Sequence, residues 1–301
     1  MTTDPTTVTA STISSSKRRK VLRRVLRGLL AASGIVLLCG IGLVTWLWWT
    51  APTPHPPVEL APGITSVCEK YDETEIHGLA HIISVDLNTP GLRLYLTPLD
   101  QSAVKAGWEY KTCWPPTIAT QEKLIVAING TLFSTDRPKW VVWPGVLSRS
   151  EETVITNHEV NHIDPNSYLL WFDDNLTPHV EKEKPPPAEA CRRAKCGISG
   201  QGWSVADSVP SPWQNHECDS RTIIGIDPTK KLLFLGAFDS ASQYRASQVM
   251  AEHGAVQAIA VDGGSSTCLT FGKTPPCMSR RTPIFPYHAV ATIFGVGFHE
   301  K

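Results

Sequence analysis

The chain has no net charge: 28 Lys and Arg offset 28 Asp and Glu over 301 residues. With no basic excess there is no face to neutralise a phosphate backbone, which excludes nucleic acid as a partner. The balance is uneven along the chain. Seven basic residues (Lys17, Arg18, Arg19, Lys20, Arg23, Arg24 and Arg27) and one acidic residue, Asp4, fall within residues 1–27. The rest holds 21 basic and 27 acidic residues, a mildly acidic body. No internal repeat is present, and at 42% hydrophobic and 19% charged the composition is that of a folded globular protein.

Charge is also missing from residues 28–49, "GLLAASGIVLLCGIGLVTWLWW". As a helix this run reaches about 33 Å, enough to cross the hydrocarbon core of a bilayer. Trp46, Trp48 and Trp49 lie at its far end, where indole rings favour the headgroup boundary. The basic cluster precedes it, so the positive-inside rule keeps residues 1–27 cytoplasmic and sends the rest outward. A removable signal peptide is the rival reading. It is disfavoured by the length of the run and by the lack of a small-x-small site before "TAPTPHPP". The expected organisation is therefore a basic tail (1–27), a transmembrane anchor (28–49), a stiff Pro-rich spacer (50–63) and one exported domain (64–301).

Cys39 lies mid-span, and seven further cysteines follow, at 68, 113, 191, 196, 218, 268 and 277. An exported domain can form disulfides. Cys268 and Cys277 bracket a short Pro-rich loop and are the expected pair; Cys191, Cys196 and Cys218 compete, and the odd count leaves one thiol over. "CRRAKC" lacks the His or second close Cys pair that would complete a zinc site.

Short β-like runs occupy 81–87, 92–97, 124–128, 167–172, 222–226, 232–238, 258–262, 268–271 and 289–296. Two helices are expected, at 115–123 and at 241–253 with Gly254 as the stop. The pattern is α+β, strand-rich with few helices. Residues 182–200 read as an irregular surface insertion.

"HEVNH" at 158–162 has the spelling of a zinc peptidase motif, with His158 and His162 as ligands and Glu159 as general base. Such a pair needs a helix. Asp164-Pro165 would end one after about seven residues, and no third ligand follows at a suitable spacing. The expected structure is a polar loop between two strands, with no metal and no cofactor.

Three other stretches set polar groups at strand ends. "LIVAINGTLFS" stops at Asn129-Gly130; "CDSRTIIGID" carries Arg221 before a strand; "AIAVDGGSSTCLTFG" holds Asp262, Gly263, Gly264, Ser265 and Ser266 between two strands. Glycines permit close backbone approach, so the last stretch can form an anion-binding nest. Together with "LGAFDS", which carries Asp239, and "HAVATIFGVGF", led by His288, these motifs resemble the phosphodiester glycosidase family over residues 75–298. Thr131 stands where the family has a small residue, and His288 where an Arg is more usual.

The resemblance implies cleavage of a sugar, of the N-acetylglucosamine type, from a sugar-1-phosphodiester. Such a site must stabilise a departing phosphate and set a carboxylate against an oxocarbenium-like carbon, with less need of a general acid than an ordinary glycosidase. Arg221 suits the phosphate through its bidentate fork, shared with the 263–266 nest. Asp262 is the expected carboxylate and Asp239 the second choice for acid–base work. Asn129, with Gly130, is expected to hydrogen-bond the sugar, and His288 is a lesser contact. The expected partners are this substrate, on an envelope glycan or glycolipid, and the membrane. A non-catalytic module binding glycan phosphates through the same nest is the alternative.

Overall fold

The computed structural model describes residues 15–49, 53–138, 142–212, 216–271, 277–278 and 288–300. They form two compact units divided between Ala51 and Pro52. The first holds one helix, Ser15–Trp49, that begins within the polar N-terminal segment and takes in its basic cluster. Its stretch Arg23–Gly42, 20 residues long, is apolar enough to cross a membrane, and none of its most apolar window is buried.

The second unit is strand-rich, and every strand pair among its described residues is antiparallel. An eight-stranded sheet runs His55–Ala61, Ile64–Glu73, Ile76–Asp86, Leu232–Ala241, Asp219–Asp227, Gln257–Ala260, Gly202–Ala206 and Val209–Pro210, in that spatial order. Its central strands carry apolar runs such as Leu232–Phe238 because both faces are covered there. Ile82, Ile223 and Phe234 face the helix Gln243–Glu252 with Ala246, Val249 and Met250. Their neighbours Ile83, Ile224 and Leu235 face the main core with Val126, Ile128, Phe294 and Val296. The latter belong to a five-stranded sheet, ordered Cys277–Met278, Cys268–Phe271, Leu124–Asn129, Ile293–Phe298 and Leu92–Leu96. A second five-stranded sheet (Glu159–His162, Val154–Thr156, Cys196–Ser199, Leu169–Phe172, Pro178–Glu181) adds Leu170, Phe172 and Ile198 to the same core. Tyr110–Lys111, Leu147–Ser150 and Phe133–Thr135 make a small third layer.

The α+β expectation holds, with strands at all nine expected places. Helix Gln243–Glu252 starts at a Ser242 cap that accepts from the Arg245 N–H and stops before Gly254 at φ +103°. Helix Pro115–Gln121 matches the other expectation.

Three expectations are corrected. The spacer 50–63 contains a strand, His55–Ala61, whose two prolines are tolerated because it lies at the sheet edge. The irregular insertion 182–200 contains the helix Ala188–Arg193 and the buried strand Cys196–Ser199, with Gly197 leaving room for Trp171, Ile155 and Leu169. The expected disulfide framework is absent among the described residues: Cys68, Cys113, Cys191, Cys196, Cys218 and Cys268 are free thiols. The side chain of Cys277 and the Pro-rich loop before it lie outside the described residues.

Candidate active site

The two larger sheets meet where strand Leu124–Asn129 ends. The Gly130 N–H donates to the Thr292 carbonyl at 2.9 Å, and the Gly130 carbonyl accepts from the Asp262 N–H at 3.0 Å. One residue earlier the Val261 N–H still donates to Thr222 of the large sheet, at 3.1 Å. The chain thus crosses from one sheet to the other at Val261–Asp262, and the acid stands at the seam. A methyl group at Gly130 would lie 2.5 Å from the Thr292 hydroxyl, so only glycine fits there.

Asn129 holds this seam together. It is fully buried, its amide N–H donates to the Asp262 carbonyl at 2.6 Å, and its amide oxygen accepts from the Thr222 hydroxyl at 2.9 Å and the Cys268 N–H at 3.0 Å. Asn129, expected to hydrogen-bond the sugar, is placed beneath Asp262 with its amide engaged in these three bonds.

A cavity of about 350 Å³ opens above, lined by Asp262, Gly263, Gly264, Ser265, Ser266 and His288, and by Leu132, Phe133, Thr135, Val142 and Asp219. Gly263 presses on the strand beside it, and Gly264 turns through φ +58° into a short 3-10 turn, Gly264–Ser266. This leaves the Ser265 side chain exposed at the cavity. Asp262 is 9% exposed. Burial holds the His288 ring below its ordinary pKa, so it is neutral at pH 7.

Two acids near the cavity escaped the sequence reading. Asp219 opens the strand that carries Arg221 and reaches the lining itself, with one carboxyl oxygen accepting from the Ser220 N–H at 2.8 Å. Its signal was its place two residues before Arg221 at the mouth of the same strand. Glu152 is 4% exposed; one oxygen accepts from the Leu132 N–H at 3.1 Å, and burial pushes the carboxyl up to about 8. It follows a short polar strand, and nothing in the sequence distinguished it from a surface acid.

Arg221 and Asp239 fall outside the lining of this cavity. The Arg221 guanidinium donates to the carbonyls of Ala241 (3.1 Å) and Glu217 (2.9 Å), and the residue does not line the cavity. Asp239 accepts from the Leu79 N–H at 2.9 Å and packs against Gly78, also away from the lining. Both bond backbone groups near strand ends.

"HEVNH" is a hairpin rather than a helix or a loop. Asn157 and His158 both take positive φ in the two-residue turn between Val154–Thr156 and Glu159–His162. His158 bonds Asp174 at 3.2 Å and His162 bonds Glu109 at 2.9 Å, so the two imidazoles serve different partners. No group of three or more metal-ligating side chains exists among the described residues.

The phosphodiester glycosidase family model matches residues 122–296, more than half of the chain and the whole of this site. The chain belongs to the phosphodiester glycosidase family. Among solved structures it is similar to the zebrafish N-acetylglucosamine-1-phosphodiester alpha-N-acetylglucosaminidase catalytic domain, auto-inhibited by its pro-peptide: TM-score 0.57, 15% identity, 83% of this chain and 87% of that one. A hypothetical protein from Synechocystis gives TM-score 0.57 at 14% identity over 82% of this chain, which spans 64% of that protein's length. A putative exported protein from Burkholderia pseudomallei K96243 gives 0.53 at 11% identity, over 73% of this chain and 74% of that one. At these identities the likeness is one of fold. No curated protein matches the chain by sequence.

Proposed function

We propose that the chain is a membrane-anchored hydrolase that releases a sugar of the N-acetylglucosamine type from a sugar-1-phosphodiester on an envelope glycan or glycolipid. Residues 28–49 are the anchor, the basic tail is cytoplasmic and the domain faces outward. The observation that carries this reading is the sharing of one cavity of about 350 Å³ by Asp262, Asp219 and the Gly263–Ser266 turn. That volume lies at the small end of ligand sites and suits one sugar ring with its phosphate. Family membership and the activity printed for the zebrafish relative support the chemistry.

In this reading the bond between the anomeric carbon and the phosphate oxygen breaks heterolytically. The phosphate monoester leaves as a weakly basic anion, held by the Ser265 and Ser266 hydroxyls. Neutral His288 adds a polar contact without charge. Asp262, kept in place by Asn129 and Gly130, stabilises the positive charge growing on the sugar, and Asp219 takes the proton from the attacking water. Leu132, Phe133 and Val142 offer an apolar wall to the ring.

The test is sugar release by the full chain in detergent, first from UDP-N-acetylglucosamine and then from a panel of sugar-1-phosphodiesters. Asp262→Asn and Asp219→Asn should each lower kcat/KM by about a hundredfold or more. A glycan-phosphate-binding module would instead bind the panel without turnover and keep its affinity in Asp262→Asn.

A further inference from the structure

Glu152 does not line the cavity, yet its setting is unusual for an acid. Its first oxygen accepts from the Leu132 N–H, and Leu132 is part of the cavity wall. Its second oxygen is buried with no hydrogen-bond partner among the described residues. The charged groups that face it are Asp262 across the seam, Asp164, and its neighbour Glu151. All three are acids, so none would stabilise a carboxylate there. Nor is the side chain on a loose tether. The Glu152 N–H donates to the Ser150 hydroxyl at 3.1 Å, and its carbonyl accepts from the same hydroxyl at 2.7 Å. That hydroxyl is bonded to Thr131 at 2.8 Å, and Thr131 to Thr292 at 2.9 Å. The carboxyl is buried and half unsatisfied, which suits a carboxylic acid and penalises an anion.

We propose that Glu152 is a positioning residue that acts as a neutral acid, holding Leu132 at the cavity wall while keeping a further negative charge away from Asp262. The proposal rests on the hydrolase reading above and adds a determinant of its pH range. A phosphodiester is an anion, and it enters a cavity that already carries Asp262 and Asp219. Loss of the Glu152 proton to solvent adds negative charge behind Asp262 and opposes binding of that anion. Burial, reinforced by Asp262 and Asp164 and opposed by the Leu132 N–H, raises the carboxyl from 4.5 to about 8. The neutral form therefore dominates at pH 7, and the alkaline limb of activity belongs to Glu152.

The experiment compares the full chain in detergent with Glu152→Gln and Glu152→Ala. Glutamine stays neutral and keeps an oxygen for Leu132; alanine keeps neither the bond nor the volume. For UDP-N-acetylglucosamine, kcat/KM of the wild type should fall about tenfold above the Glu152 titration, as a coupling of one pKa unit would give. Glu152→Ala should lose about tenfold at neutral pH, and Glu152→Gln should recover most of that loss without the alkaline fall. A Gln variant with the wild-type alkaline limb overturns the proposal.

Unfolding temperature against pH supplies a readout independent of turnover. A carboxyl raised in the folded state contributes stability that is complete below 4.5 and is lost as pH climbs to about 8. The wild type should therefore lose stability relative to Glu152→Gln across that window and run parallel to it above. A constant difference through the window would mean that Glu152 is ionised in the folded protein, and the proposal falls whatever the enzyme does. No turnover from any phosphodiester, with the window present, removes the hydrolase reading and leaves the neutral Glu152 standing.

Discussion

The side-chain amide of Asn129 donates to the main-chain carbonyl of Asp262 at 2.6 Å, although 133 residues separate them. The same amide accepts from Thr222 and from Cys268, so one buried side chain joins three strands at the base of the cavity. Asn129→Ala strands the Asp262 carbonyl and the Cys268 N–H, while the Thr222 hydroxyl keeps Thr267 at 3.1 Å, at a cost of about 2–3 kcal/mol. Asn129→Asp keeps the acceptor but turns the donor into a repelling oxygen. Both variants should lose more than tenfold in kcat/KM under conditions where circular dichroism shows them folded. A folded Asn129→Ala with wild-type activity would show that Asp262 needs no such support.

Arg221 spends its guanidinium on the carbonyls of Ala241 and Glu217, so its loss should act on the whole strand. Arg221→Ala should lower stability by about 1–2 kcal/mol. Arg221→Lys should recover only part, because an ammonium lacks the planar fork that reaches two carbonyls at once. Any fall in activity should be the same for a sugar phosphodiester and for an aryl glycoside of the same sugar. A loss confined to the phosphodiester would return Arg221 to the phosphate.

The site was legible in the sequence where backbone geometry demanded particular residues. Gly130 and Gly263 mark places where two strands approach too closely for a side chain, and Gly264 marks a left-handed turn; glycines at strand ends can be seen without a structure. Side-chain direction could not be seen. Arg221 and Asp219 lie two apart across a bulge in their strand, and only the fold shows that Asp219 reaches the cavity while Arg221 turns to Glu217 and Ala241. Glu152 was hidden for another reason: the Leu132 N–H that it accepts from and the Asp164 charge that it faces come from other segments. The fold divides in the same way. Strands covered on both faces, such as Leu232–Ala241, announced themselves by continuous apolar runs. Short ones such as Val154–Thr156 and Cys196–Ser199 gained their stability from neighbours that no local window contains.

The cysteines should divide sharply by reactivity. Burial pushes the thiols of Cys68, Cys113, Cys196 and Cys268 up to about 12, and Cys191 is raised as well. At pH 8 almost none of the first four is thiolate, the reactive form. Cys218 is exposed, with its sulfur 3.8 Å from the Thr74 carbonyl. Brief iodoacetamide treatment of the native chain, read by peptide mass spectrometry, should label Cys218 ahead of these five. Rapid labelling of Cys268 would place its strand closer to solvent than the fold allows.

The turn at Gly263-Gly264 separates two uses of glycine. A methyl group at Gly263 would stand 2.8 Å from the Ser220 carbonyl, a main-chain atom that cannot swing aside. Ser220 is held in turn, its hydroxyl on the Asp239 carbonyl at 2.5 Å and its N–H on the Asp219 carboxyl at 2.8 Å. Gly263→Ala must therefore push the start of that strand away from the turn, and Asp219 away from Asp262. At Gly264 the constraint is φ +58°, and an added methyl meets only the Asp219 carboxyl at an ordinary 3.4 Å. Gly264→Ala should cost about 1 kcal/mol of stability for the left-handed backbone and leave the two acids in register. Gly263→Ala should lower kcat/KM by about a hundredfold, as a displacement of about 1 Å between reacting groups does, at a similar or smaller loss of stability. Measured together by thermal unfolding and sugar release, the reverse order, with Gly264→Ala the poorer catalyst, would mean that the turn rather than the spacing of Asp219 and Asp262 governs the chemistry.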